Sequence, residues 1–387
     1  MHRRKRRYRK KWVKIIFLLS APFATALIIN STAKVSGIMN NADSFILVSG
    51  KNNNASKKDI FSEYDIQYTE DTEDTVNENI ISKGFGYAEE NAPEDNEIPL
   101  YKVISDNPGA KPYPTAWSED GAIVRTTYGT FSGKNIFNLD KAGQVNNKTS
   151  VLWTDLKNES KLLPKFRISV HSDEPQVLIY HTHTTESFEP FVRDYYDASF
   201  NYRTTDETKN MVMVGNAIAK QLEEADITVI HDTTIHDYPS YNGSYDRSAV
   251  TIRNILEKYP SIKVILDIHR DAVSADGIAY QPFVEIDGKE AAQIMIISGC
   301  DDGTMNMPDY LQNFRLASLF QKQIESDYKG LTRPILFDYR KYNQNLSTGA
   351  LLFEIGSHGN TLEQVQYSGE LVGKSIARAL YSIKESV

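Results

Sequence analysis

The chain has 387 residues, 40% of them apolar and 24% charged, with 43 Lys and Arg against 51 Asp and Glu and a net charge of −8. That length accommodates two or three domains and the composition supports a sizeable core, which excludes wholesale disorder and collagen-like classes. A single cysteine, Cys300, excludes an internal disulfide and a multi-cysteine zinc site. The charge is unevenly spread: residues 3–14 hold nine Lys and Arg and no acid, leaving 34 basic against 51 acidic residues elsewhere. A body so acidic is a poor partner for nucleic-acid phosphates.

Behind the basic run, Ile15 to Ile29 carries no charge. With Trp12 and Val13 added and Lys14 able to snorkel, the span 12–30 approaches the ~17–25 residues of a membrane helix. The positive charges of residues 1–11 put the N-terminus in the cytoplasm and the body outside it. A cleaved signal peptide, cut near Ala24-Thr25-Ala26, is the alternative. Residues 31–97 read as an acidic stalk: Asp59 to Glu97 contains thirteen acidic residues and one Lys. Such a segment buries too little apolar surface to offset its ordering entropy and is expected to be mostly disordered and extended.

Residues 98–170 show short β-like runs (Ala122–Tyr128, Ser150–Trp153) broken by Gly, Asn and Pro, and read as an irregular subdomain. From residue 171 the pattern alternates. Gln176–Tyr180, Ile227–Ile230, Ile262–Ile268, Pro334–Asp338 and Ala350–Phe353 read as strands. Thr205–Glu224, Asp246–Tyr259, Pro308–Tyr328 and Thr361–Ile383 read as helices, and Ile278–Glu285 with Gln293–Ser298 as a hairpin. The expected fold class is α/β, a mixed and mostly parallel sheet flanked by helices. In such sheets ligands sit beyond the carboxyl ends of the strands.

Three polar clusters follow three of those strands: His181-Thr182-His183-Thr184-Thr185-Glu186, then His269-Arg270-Asp271, then Glu354 with His358 close behind. His183 and Glu186 have the i, i+3 spacing of a zinc-binding pair, and His269 supplies a third ligand, leaving one position for water. Glu354 is the base that takes a proton from that water and returns it to the leaving amine. His181 competes with His183, as a ligand or as a group behind the ligands. Arg270 and Asp271 read either as substrate-binding groups, as groups that orient His269, or as an internal ion pair. His358 is either an electrophile near the site or a cap of the last helix. Lys341-Tyr342-Asn343-Gln344-Asn345 reads as a polar loop at the cleft rim. His171, His231 and His236 receive no role. No Walker loop, dinucleotide-binding glycine fingerprint or GxSxG elbow is present. A zinc carboxypeptidase or endopeptidase, and an anchored non-catalytic binding module, are the competing readings.

The segments VLIYHTHTTESF, LDIHRDA, YNQNLS and LLFEIGSHGNTLEQ, over residues 100–387, resemble the stage II sporulation protein P family of endospore-forming bacteria. More distantly, the order of strand-end His, later His and final Glu resembles zinc-dependent N-acetylmuramoyl-L-alanine amidases. By that resemblance His183 and His269 are zinc ligands and Glu354 the catalytic carboxylate. Those amidases take their zinc Glu from the helix after the first strand, whereas Asn210–Gln221 offers no carboxylate; Glu186, or failing it Glu207, stands in. The resemblance implies a Zn2+-dependent hydrolase of peptidoglycan in the engulfing septal membrane. It would act on the N-acetylmuramoyl-L-alanine amide and on cross-links, with stage II sporulation proteins D and M as partners.

Overall fold

Two sheets organise the described residues. The computed structural model describes residues 110–385 apart from residue 276, together with two short strands, β1 (Ile46–Val48) and β2 (Ile66–Tyr68). The expected anchor and most of the expected stalk lie outside the described residues. Among the described residues no helix is long and apolar enough to cross a membrane.

In chain order there follow β3 (Gly121–Thr126), β4 (Ile136–Asn138), β5 (Gln144–Asn147), α1 (Trp153–Glu159), β6 (Val177–Tyr180), β7 (Tyr195–Tyr196), α2 (Met211–Glu223) and β8 (Val229–His231). Then come α3 (Ser244–Lys258), β9 (Val264–Asp271), β10 (Val273–Ala275), β11 (Ile278–Ile286), β12 (Lys289–Ala292) and β13 (Ile294–Gly299). The last elements are α4 (Tyr310–Asp327), β14 (Ile335–Asp338), β15 (Ala350–Ser357) and α5 (Leu362–Tyr381). The main sheet runs β4-β5-β14-β13-β15-β9-β6-β8. It is antiparallel only at β4-β5 and β13-β15, so the expected mixed, mostly parallel α/β architecture is present.

Two sequence expectations need correction. The β-like run Ser150–Trp153 leads into a helix, since Trp153 opens α1 and Leu156 is its buried residue. The expected hairpin partner of β11 is also wrong. β11 turns back on β12 through Asp287 and Gly288, both at positive φ, while β13 leaves for the main sheet. All six residues of β13 are buried, which is the demand of a central strand and not of an exposed hairpin arm.

Side-chain alternation divides the main sheet into two faces. Val177 and Ile179, Val264, Leu266 and Ile268, and Leu351, Phe353 and Ile355 join the larger core with α2, α4 and α5. Leu178, Tyr180 and Ile265 face the other way and pack with Ile252 and Ile255 of α3. Helix α5 is started by a capping box between Thr361 and Gln364. It approaches α2 closely at Gly369 and Gly373, where an added Cβ would lie about 3 Å from the α2 backbone.

Candidate active site

Strands β15, β9 and β6 are adjacent and parallel, so the three polar clusters leave the sheet along one edge. Within β9, Asp267 and His269 are in phase with Ile265 and therefore project to the α3 face. Glu354 is the register partner of His269 and shares that face. His183 reaches the same place from the turn after β6, its ring edge-on to that of His269 at 5.1 Å. Glu186 Oε2 lies 3.5 Å from His269 Nδ1 and accepts a hydrogen bond from the Arg270 amide at 3.1 Å. The structure thus brings His183, Glu186, His269 and Glu354 together.

The electrostatics follow from burial and from the carboxylates around one imidazole. Burial opposes the charged form of His269, but Asp267 and Glu186 on its two sides outweigh burial and hold its pKa well above the ordinary value. Asp267 Oδ1 is 2.8 Å from His269 Nε2, a close ionic contact without hydrogen-bond alignment. Burial also works against ionised Glu186, yet His269, Arg270 and Arg203 hold it well below the usual carboxylate range. His183 is pushed well down by burial. Glu354 goes the other way: burial, reinforced by the Asp271 charge, raises it to about 8. Its Oε2 is shielded from solvent and has no hydrogen-bond partner.

His181 is in phase with Ile179, and its ring goes to the opposite face, toward α2. Its Nδ1 donates to the Ile268 carbonyl at 2.8 Å and its Nε2 meets His231 Nε2 at 2.8 Å, with Gly215 leaving room for both rings. Burial lowers His181 to about 4. His236 Nδ1 donates to the His181 carbonyl at 2.8 Å. His181 and His231 brace the end of β6 from behind, whereas His236 Nε2 meets Thr251 of α3 at 3.0 Å.

Arg270 is buried and donates to the carbonyls of Ser187 and Tyr202, bracing the segment that follows Glu186. Asp271 forms a buried pair with Arg333 at 2.7 Å. His358 is buried beside Tyr202, its ring 5.0 Å away, and Thr361 rather than His358 caps α5. Glu207 is exposed and lines a surface groove with Lys220 and Glu370. Cys300 is buried.

Sequence reasoning passed over Asp267, Arg203, Tyr241 and Tyr245. Asp267 could have been found, because a residue two before His269 on a strand shares its face. The others come from distant loops and carry no local signal. Arg203 pairs with Asp237 at 2.5 Å and approaches Glu186 at 3.6 Å. Tyr241 stacks on His183 at 4.7 Å, and Tyr245 stands edge-on to it at 5.5 Å.

A mixed α/β domain with imidazoles and carboxylates gathered at the carboxyl ends of parallel strands is the class defined by this fold and site. The model of the stage II sporulation protein P (SpoIIP) family matches residues 51–377, and the chain belongs to that family. It is 29% identical over 224 residues to the stage II sporulation protein P of Bacillus subtilis (strain 168), covering 55% of this chain and 52% of that protein. The chain thus spans about half the length of this curated relative. Among solved structures it is similar to the N-acetylmuramoyl-L-alanine amidase AmiC2 of Nostoc punctiforme (TM-score 0.33, 12% identity, 54% of this chain and 96% of that one). It is also similar to an N-acetylmuramoyl-L-alanine amidase from Clostridium difficile 630 (TM-score 0.30, 17% identity, 55% and 97%).

The donor set can be tested against zinc. Two imidazoles and a carboxylate are the ligand types of a catalytic zinc site, and a buried Glu354 Oε2 without a hydrogen-bond partner is what a polar ligand would satisfy. Among the described residues no three His, Cys, Asp or Glu groups converge at metal-ligand spacing as they stand. The His183 nitrogens face Tyr241 Oη at 3.2 Å and Ser244 Oγ at 3.4 Å. The residues fit the ion by donor chemistry, with His183 turned to hydroxyl partners.

Proposed function

We propose that this chain is a membrane-anchored, zinc-dependent peptidoglycan hydrolase that cleaves the amide between N-acetylmuramic acid and L-alanine during engulfment of the forespore. The observation that carries this reading is Glu354, a carboxyl raised to about 8, shielded at Oε2, and register-paired with His269. A carboxyl poised near the working pH exchanges a proton in both directions, the requirement for serving first as base and then as acid. Membership of the family supports the sporulation setting. The uncharged run behind nine basic residues supports a single-pass anchor with the catalytic domain outside the cytoplasm.

His183, Glu186 and His269 would hold the zinc. Bound there, the ion supplies Lewis acidity, polarising the amide carbonyl and bringing a water's pKa to about 7. Glu354 takes the proton released as the new C–O bond forms and passes it to the alanine nitrogen as the C–N bond breaks. Asp267 fixes the His269 ring at Nε2, which would leave Nδ1, beside Glu186, for the ion, and the Arg270 amide holds Glu186. Stage II sporulation proteins D and M are the partners this setting implies.

The full chain, supplied with zinc and denuded peptidoglycan, provides the test through mass spectrometry of the released fragments. Stem peptides beginning with L-alanine, beside peptide-free glycan, support the amidase. Cleaved cross-links with the muramoyl amide intact would replace it by an endopeptidase, and no release with no bound zinc by a binding module.

A further inference from the structure

We infer that Tyr241 is a further catalytic residue of this site, its phenol hydroxyl donating a hydrogen bond to the carbonyl oxygen of the scissile amide. The inference rests on the hydrolase reading above and deepens it.

The geometry sets the phenol against His183, one of the residues proposed to hold the zinc. The Tyr241 ring lies parallel to that of His183, centroids 4.7 Å apart at 13°, and its Oη is 3.2 Å from His183 Nε2. His183 is 97% buried, so this tyrosine covers a ring that the rest of the fold encloses. Tyr241 itself is only half-buried and belongs to an exposed loop tip flanked by Ser240 and Asn242. A residue there is reached from solvent before His183 is.

The loop is held in place. Arg247 of α3 donates to the carbonyls of His236, Ser240 and Asn242, at 2.7, 2.5 and 3.0 Å. Three bonds from one guanidinium to both sides of Tyr241 hold the backbone that carries the phenol, as an electrostatic donor requires. Arg203 stands over the Tyr241 ring at 4.8 Å. A cation on the ring face favours negative charge in the phenol and makes its hydroxyl a stronger donor.

Packing alone would be served equally by phenylalanine; the hydroxyl is the part that needs a reason. In this structure it lies 3.2 Å from His183 Nε2. With His183 holding the ion, the hydroxyl would donate to the oxygen on which charge builds as the amide carbon is attacked. No covalent bond to the protein forms and the phenol keeps its proton throughout.

The deciding variant is Tyr241→Phe in the full chain, which keeps the ring and removes the donor. Loss of one such donor lowers turnover by roughly 10²–10³-fold. The expected result is that loss in kcat with KM within about twofold, and with zinc content and thermal midpoint unchanged. A second readout does not need turnover: affinity for a phosphinate in which phosphorus replaces the muramoyl carbonyl carbon, measured by calorimetry, falls in the variant by a comparable factor. Equal kcat, or equal phosphinate affinity, in wild type and Tyr241→Phe overturns the role of Tyr241 and leaves the hydrolase standing. A wild-type chain that neither turns over nor binds the phosphinate overturns the hydrolase reading, and this inference with it.

Discussion

Glu354 and His269 sit directly opposite one another on neighbouring parallel strands, and both project to the α3 face of the sheet. The pairing is set by strand register, so the spacing between carboxyl and imidazole is as rigid as the sheet itself. Both pKa values are shifted upward, from different causes. His269 has Asp267 and Glu186 at its two nitrogens, whereas Glu354 meets burial and the Asp271 charge.

Glu354→Gln removes the proton carrier and keeps the shape. On the proposed mechanism it lowers kcat by roughly 10²–10⁴-fold, the usual worth of a positioned acid–base group. Zinc content stays at the wild-type level, measured by elemental analysis beside the hydrolysis assay. Turnover within a few-fold of wild type would remove Glu354 from the proton path.

Metal binding separates the two neighbouring histidines. His183→Ala is expected to weaken zinc by more than about tenfold, and chelation of the wild type to stop turnover until zinc is restored. His181→Ala keeps zinc and instead lowers stability by about 1–3 kcal/mol, because the His231 and Ile268 groups lose their buried partner. Competition with a chromophoric chelator and urea denaturation read the two effects.

Gly215 is the floor on which the His181–His231 contact rests. A Cβ there would lie 2.4 Å from His231 Nε2 and 2.8 Å from His181 Nε2, so Gly215→Ala is expected to cost about 1–3 kcal/mol as overpacking. Combined with His231→Ala the cost should fall below the sum of the two single changes, since the clash is relieved. Additive losses in denaturant titrations would show that the strain lies elsewhere.

Glu189 gives a pH signature independent of the reaction. Burial raises it to about 7 even though Tyr202 donates to its Oε1 at 2.6 Å. Between 4.5 and about 7 the folded chain therefore keeps a proton that the unfolded chain has released. Its contribution to stability is complete below that window and lost as pH rises through it. Glu189→Gln abolishes this slope and gains on the wild type by at most about 3 kcal/mol from pH 4 to pH 8. Parallel stability curves for the two proteins would place the titration in another group.

Much of the α/β plan was legible along the chain, because apolar alternation and helical spacing are local properties. Val264–Asp271 and Ala350–Ser357 announce buried strands, and the polar residues at their ends mark the edge where chemistry gathers. The path of β13 was not legible, since an apolar run pairs equally well with a hairpin arm or with the centre of a sheet. The same holds for the choice between His181 and His183. Two residues apart in sequence, they part only because the chain leaves the strand between them, sending one ring to α2 and the other to His269. Arg203, Tyr241 and Arg333 reach the site from segments with no motif of their own. Local pattern determines which face a strand residue takes, whereas only the packed sheet and its loops decide which distant side chains share a dielectric environment, and with it their protons.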